Sequence, residues 1–257
     1  MRRLLLIGVG AGDPDYVTAQ AARAMREVDV FFVVEKGGDA DELAAVRHGI
    51  VERFVPDASS YRIVPVPDPP RDRASAAYGT AVDAWRAARA EAWEAALRDG
   101  LPEDGVGAFL VWGDPSLYDS TIDVIERMLA PGRLQFDWEV IPGVSAIHAL
   151  TARHRVALNR VGGAVQITTG RRLASGGWPD GVDDVVVMLD ADCAFAQLDP
   201  AGVEVYWGAY LGTPDELLVA GALAEAGPEI QRVRAEARAR KGWIMDTYLL
   251  RRSRSHE

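Results

Sequence analysis

The 257-residue chain has one cysteine, four histidines and no apolar run long enough to span a bilayer. Each scarcity removes a class of protein. A single thiol, Cys193, closes no internal disulfide and suits a reducing compartment, so the chain reads as cytoplasmic. Its surroundings, Leu189-Asp190-Ala191-Asp192-Cys193-Ala194-Phe195, hold no histidine, which favours a packed thiol over a nucleophile. His48, His148, His154 and His256 stand at no metal-ligand spacing, and no metal is expected. The apolar stretch behind Met1-Arg2-Arg3 is short and stops at Asp13-Pro14, unlike a signal peptide. Positive charge is the minority as well, with 28 Lys and Arg against 38 Asp and Glu and a net charge of −10. Such a molecule is not drawn as a whole to nucleic acid or to an anionic membrane.

What is present is a set of glycine and proline turns, each directly behind an apolar run. Leu4-Leu5-Leu6-Ile7 leads into Gly8-Val9-Gly10-Ala11-Gly12-Asp13-Pro14, with Thr18 beyond. Gly107-Ala108-Phe109-Leu110-Val111-Trp112 leads into Gly113-Asp114-Pro115-Ser116-Leu117-Tyr118. Phe136-Asp137-Trp138-Glu139-Val140-Ile141 leads into Pro142-Gly143-Val144-Ser145-Ala146. Continuous apolar runs are the mark of buried parallel strands, and open α/β sheets bind ligands where such strands end.

The spacing predicts strands over 4–9, 30–34 and 62–66 and helices over 17–28, 39–55, 73–98 and 119–129. Strand and helix thus alternate through the first half, as in a parallel α/β domain. Trp85, Trp93 and Leu97 are the apolar anchors of the long helix. The second half is more mixed. Strands are expected over 164–168, 185–189, 203–206 and 243–250, and helices over 214–226 and 230–241, giving an α+β domain. The division is placed at 1–145 and 146–257. The basic tail from Arg251 reads as frayed.

Taken singly, each turn has an ordinary explanation. Gly8-Val9-Gly10-Ala11-Gly12 resembles a dinucleotide fingerprint, but its third glycine comes one residue early and Asp13-Pro14 stands where the helix should open. Asp114 before Pro115 is a common turn former. Ser145 suits the N-cap of a helix starting at Ala146.

In this order and spacing the three together resemble the tetrapyrrole methyltransferase family, also called the precorrin methylases. The residues that carry the resemblance are Gly8, Gly10, Gly12, Pro14 and Thr18, then Gly113-Asp114-Pro115, then Val140-Ile141-Pro142-Gly143-Val144-Ser145. Val185-Val186-Val187-Met188 and Tyr210-Leu211-Gly212-Thr213 fall where the family has its later cofactor contacts. The resemblance implies a two-domain tetrapyrrole methylase fold of class α/β, with S-adenosylmethionine held in a cleft of the two domains, largely by backbone. It places Pro14, Gly113, Asp114, Leu117, Ser145, Ala146, Met188, Tyr210 and Leu211 at the cofactor, with S-adenosylhomocysteine as product. It also implies a homodimer, a tetrapyrrole substrate, and no nucleic-acid or membrane partner.

Within the family the likeness is to the deacetylating branch, which methylates precorrin-5 at C-1 and releases acetate in aerobic cobalamin synthesis. It rests on Ala11, on Asp68-Pro69-Pro70-Arg71-Asp72-Arg73 before the long helix, and on the end, Arg238 to Arg252, in place of an apolar closing strand. Asp114, Tyr118 and the arginines are the candidates for the deacetylation chemistry, with a purely cofactor-holding role for Asp114 as the alternative.

One observation bears on substrate independently. No acidic residue lies between Glu139 and Asp180, a stretch that holds Arg153, Arg155, Arg160, Arg171 and Arg172. Arginine pairs bidentately with carboxylates, and a corrin precursor carries a ring of them, so Arg153, Arg155, Arg171 and Arg172 are the candidate substrate contacts. The bland alternative is a solvated basic face. Another precorrin methyltransferase, a ribosomal RNA methyltransferase and a non-catalytic tetrapyrrole carrier stay open as other readings.

Overall fold

The computed structural model describes residues 1–35, 41–70 and 78–253. Its contacts divide into two units, Met1–Gly10 with Pro14–Val144 and Ala11–Asp13 with Ser145–Glu257.

In the first unit β1 (Arg3–Gly8), β2 (Val30–Glu35), β3 (Arg62–Pro67), β4 (Val106–Val111) and β5 (Asp137–Ile141) form a parallel sheet in the order β3-β2-β4-β1-β5. The apolar runs explain the burial of both faces. Leu4, Leu6, Phe32 and Phe109 point to one side, against α3 (Tyr78–Gly100) and α4 (Thr121–Leu129). There Trp93 stacks on Phe109 with ring centroids 3.9 Å apart. Leu5, Ile7, Phe31 and Leu110 point to the other side, against α1 (Ala19–Met25) and α2 (Asp41–Phe54). α1 follows β1 and α4 follows β4, and these two helices cover opposite faces. The crevice at the switch point of a doubly wound sheet therefore opens at the carboxyl ends of β1 and β4, which are neighbours. Pro65 and Pro67 sit on β3, an edge strand, where a missing donor is tolerated.

Helix α1 is shorter than its apolar spacing suggests. Thr18 is its N-cap and accepts the Ala21 amide at 3.0 Å. The expected starts of α2 and α3, Arg71-Asp72-Arg73, His256 and the last residues of the basic tail lie outside the described residues.

The second unit holds α5 (Ala146–His154), β6 (Val165–Thr169), α6 (Gly170–Gly176), β7 (Asp184–Met188), β8 (Val203–Ala209), β9 (Leu217–Ala222), α7 (Leu223–Lys241) and β10 (Asp246–Arg252). Its sheet runs β6-β7-β10-β8-β9, parallel only at β6 and β7. The α+β expectation holds here, with three corrections. The helix expected over 214–226 is instead strand β9 and the start of α7. Leu217 and Val219 reach the core only as a strand paired to β8, with Trp207 opposite Val219. α7 then runs through Pro228, where a break was expected. Leu223, Ala226, Ile230 and Ala237 all bury on one core, which outweighs the lost backbone bond. Finally, the end of the chain does not replace an apolar closing strand. It supplies one: β10 lies at the centre of the sheet with Tyr248, Leu249 and Leu250 buried. Helix α6, which carries Arg171 and Arg172, was not anticipated.

Candidate functional site

The three sequence turns of the first unit meet. Gly10 and Gly113 form a two-way backbone bridge, with Gly113 N donating to Gly10 O at 2.8 Å and Gly10 N to Gly113 O at 3.2 Å. The Pro142-Gly143 turn packs on Gly113 and on Gly8. A Cβ on Gly143 would lie 2.1 Å from Gly113 O and 2.8 Å from Gly8 C, so this position admits glycine alone. The result is a rim of peptide groups along the carboxyl ends of β4, β1 and β5.

Asp114 ties this rim together. One carboxylate oxygen accepts the Ser116 amide at 2.8 Å and the Ser116 hydroxyl, and the other accepts the Gly143 amide at 2.9 Å. The turn-forming explanation of Asp114 is thus correct, and the same side chain also joins two motifs that lie far apart in the sequence. Leu117 N closes the turn on Asp114 O at 3.2 Å. Tyr118 follows with a φ of 51° and 45% of its surface exposed, an unusual backbone for a bulky residue. Pro14 opens a single 3-10 turn, Pro14–Tyr16, before the separately capped α1. No helix begins behind Gly8-Val9-Gly10, so the segment offers no phosphate cradle of the dinucleotide kind. A peptide rim beside a carboxylate suits a cation such as a sulfonium.

In the second unit Ser145 is the N-cap of α5, its hydroxyl meeting His148 N at 3.4 Å and His148 Nδ1 at 2.9 Å, and Ala146 is the first helical residue. Met188 ends β7, and Leu189 after it has a φ of 52° and is 66% exposed. Tyr210 follows β8 with a φ of 50°. Its ring is buried, edge-on to Trp243, and its hydroxyl donates to Trp243 O at 2.6 Å. What Tyr210 presents to a ligand is therefore backbone. Leu211 O lies so near Gly12, whose φ is 146°, that a Cβ there would stand 2.6 Å from it.

The acid-free stretch does not gather into one patch. α5 packs on the sheet face where Leu150 meets Gly208, whereas α6 sends Leu173 into the core on the other face. Arg153 and Arg155 thus stand on one side of the sheet, and Arg171 and Arg172 on the other. All four are exposed. Arg153 is paired with Glu216, its Nε donating to Oε1 at 2.6 Å, while Glu216 Oε2 accepts the Gly212 amide at 2.9 Å. It therefore braces the Tyr210–Thr213 turn. Arg160 is tied to Asp183 and to Arg252 O.

Cys193 is buried, and burial pushes its thiol up to about 11, so it stays protonated at neutral pH. Among the described residues no group of three or more His, Cys, Asp or Glu side chains is placed to hold a metal ion, and no helix is long and apolar enough to cross a membrane.

Comparison with known proteins identifies the family and the fold. The family model for Tetrapyrrole (Corrin/Porphyrin) Methylases matches residues 3–227. The chain is 48% identical over 252 residues to the precorrin-6A synthase [deacetylating] of Sinorhizobium sp, covering 98% of this chain and 96% of that protein. It is 31% identical to a precorrin-2 C(20)-methyltransferase of Sinorhizobium sp over 56% of this chain and 55% of the other. Among solved structures it resembles a putative cobalamin synthesis related protein (CobF) from Corynebacterium diphtheriae, with a TM-score of 0.83, 37% identity and coverage of 98% and 99%. The fold is shared with a uroporphyrin-III C-methyl transferase from Thermus thermophilus complexed with S-adenyl homocysteine, at a TM-score of 0.58, 20% identity and 96% coverage of each chain. The chain belongs to the tetrapyrrole (corrin/porphyrin) methylase family.

Proposed function

We propose that this enzyme methylates precorrin-5 at ring carbon C-1 with S-adenosylmethionine and releases the acetyl group as acetate, giving precorrin-6A. The observation that carries the reading is 48% identity to a precorrin-6A synthase [deacetylating] across 98% of the chain. The methyl donor is assigned to Pro14, Gly113, Asp114 and Leu117 in the first unit and to Ser145, Ala146, Met188, Tyr210 and Leu211 in the second. The reading includes a cytoplasmic homodimer acting on a small molecule. An acidic chain supports that over an RNA substrate.

S-adenosylmethionine supplies an electrophilic methyl group, which passes to the ring carbon as the C–S bond breaks. This displacement needs alignment and exclusion of water more than it needs an acid or base. The residues offered for it suit that demand. They are peptide groups of fixed turns, and the Asp114 carboxylate already has both oxygens hydrogen-bonded within those turns. Asp114 therefore fixes the rim and contributes a negative charge to it. Acetate release is a different problem: water adds to the acyl carbonyl, the oxyanion needs a donor, and its collapse breaks the C–C bond to the ring, leaving on C-1 the electron pair that takes the methyl group. Tyr118, exposed on the same loop, is assigned that donor role. Arg171 and Arg172, together on one side of the sheet, are assigned to substrate carboxylates, whereas Arg153, on the other side, is assigned to the Glu216 brace.

The test is transfer of methyl-labelled S-adenosylmethionine to precorrin-5 and, in parallel, to precorrin-2. Label is expected in the first acceptor and not in the second. Label in precorrin-2 alone would place the enzyme at another step of the same chemistry.

A further inference from the structure

Helix α7 is rich in arginine, and most of that charge faces water. Arg232 and Arg240 have side chains 56% and 60% exposed. Arg234 differs, since only 8% of its surface is exposed. A buried guanidinium persists only where its donors are matched. Those of Arg234 are matched to two distant places. Nε donates to Asp246 Oδ2 at 2.8 Å, at the start of β10, and Nη2 approaches Asp246 Oδ1 at 3.5 Å. Nη2 also donates to Asp190 O at 2.7 Å, and Nη1 to Ala191 O at 3.2 Å, in the loop after β7. Burial opposes the charge on Arg234, and the Asp246 carboxylate outweighs that opposition.

Both partners are fixed in turn. The Asp190 carboxylate accepts the Tyr248 hydroxyl at 2.6 Å, the Ala194 amide at 2.7 Å and the Asp192 amide at 3.0 Å. Asp246 Oδ2 also accepts Trp207 Nε1 at 2.9 Å. Asp246 stands opposite Ala209 in the sheet, and its neighbour Met245 accepts the Tyr210 amide at 3.0 Å. The guanidinium thus spans the footings of two strand-end turns, Met188-Leu189 and Tyr210-Leu211. Each turn contains a bulky residue at positive φ, a conformation that surrounding structure must impose.

We propose that Arg234 is a positioning residue that sets the spacing of these two turns and so the affinity of the second unit for S-adenosylmethionine. This rests on the methyltransferase reading above. A merely structural arginine would matter only for stability. A positioning arginine controls methyl-donor binding even in a chain that folds normally, because the turns it spaces carry the contacts assigned to the donor.

The experiment compares the parent enzyme with Arg234→Lys and Arg234→Met, by thermal unfolding, calorimetric titration with S-adenosylhomocysteine, and steady-state kinetics. Lysine keeps the Asp246 ion pair but does not reach the two carbonyls together. Arg234→Lys is expected to unfold near the parent temperature, yet to bind S-adenosylhomocysteine about 10- to 100-fold more weakly. Its KM for S-adenosylmethionine should rise with little change in the precorrin KM. Arg234→Met should show the same rise in KM together with a lower unfolding temperature. Two folded variants that bind as the parent does would overturn the proposal, as would failure of both to fold, which would assign Arg234 to the core. A parent enzyme that binds no S-adenosylhomocysteine would instead refute the methyltransferase reading on which the proposal stands.

Discussion

The Asp114 carboxylate accepts the Gly143 amide at 2.9 Å, joining the turn after β4 to the turn after β5. An amide in its place cannot accept on both sides, so Asp114→Asn sets a donor against either Ser116 or Gly143. A charge-assisted bond of this kind contributes about 1.5–3 kcal/mol. Asp114→Asn is therefore expected to unfold several degrees below the parent and to lose affinity for S-adenosylhomocysteine. Calorimetry measures both, and a variant unchanged in both would detach Asp114 from the rim.

Glycine substitutions separate close approach from open space. Gly143→Ala puts a methyl group against the backbone of Gly113 and Gly8, which has no rotamer to yield. It should abolish measurable cofactor binding and lower the unfolding temperature. Gly49, in the middle of α2, has nothing within 4 Å of a built Cβ. Gly49→Ala should gain about 0.8–1 kcal/mol of helix stability and leave kinetics at parent values. Opposite signs in a thermal scan are the expected pattern.

The arginines divide by partner. Arg153→Ala releases Glu216 and with it the Gly212 turn, so KM for S-adenosylmethionine should rise with little change in that for the precorrin. Arg171→Ala, on exposed α6, should raise only the precorrin KM, by roughly tenfold for a lost charge-assisted pair. Parent values for Arg171→Ala would leave α6 as a solvated face.

Tyr118→Phe removes a hydroxyl while keeping the ring and the strained loop. Loss of one oxyanion donor costs on the order of 100- to 1000-fold in the step it serves. The variant should lose acetate release and methylation together, because the electron pair freed at C-1 when the acyl C–C bond breaks is the pair that takes the methyl group, while S-adenosylhomocysteine binding stays at the parent value. Parent rates of acetate release would remove Tyr118 from the deacetylation.

The first unit was legible because its signals are local. Gly8, Gly113 and Gly143 each interrupt an apolar run, and interruption of that kind marks the end of a parallel strand. Their mutual contact was implied only by their joint resemblance to one family. β9 was misread because Leu217 to Ala222 shows no alternation and follows Pro214-Asp215-Glu216, which looks like a helix start. Only pairing with β8 decides that segment. The spacing separates helices over 214–226 and 230–241, yet the burial of Ala226 and Ile230 keeps α7 continuous through Pro228. Arg234 left no trace in the sequence, since its partners lie in a loop and a strand that folding alone brings to it. The arginines of the acid-free stretch looked like one patch because they are close in sequence, whereas α5 and α6 carry them to opposite faces of a sheet.

The central claim is tested most directly by analysing the products formed from precorrin-5 and S-adenosylmethionine. Mass spectrometry of the macrocycle, with acetate measured alongside, should show a product that has gained one methyl group and lost its acetyl group, with acetate and S-adenosylhomocysteine formed in equal amounts. A macrocycle that gains the methyl group without acetate release, or that remains unchanged, would contradict the account.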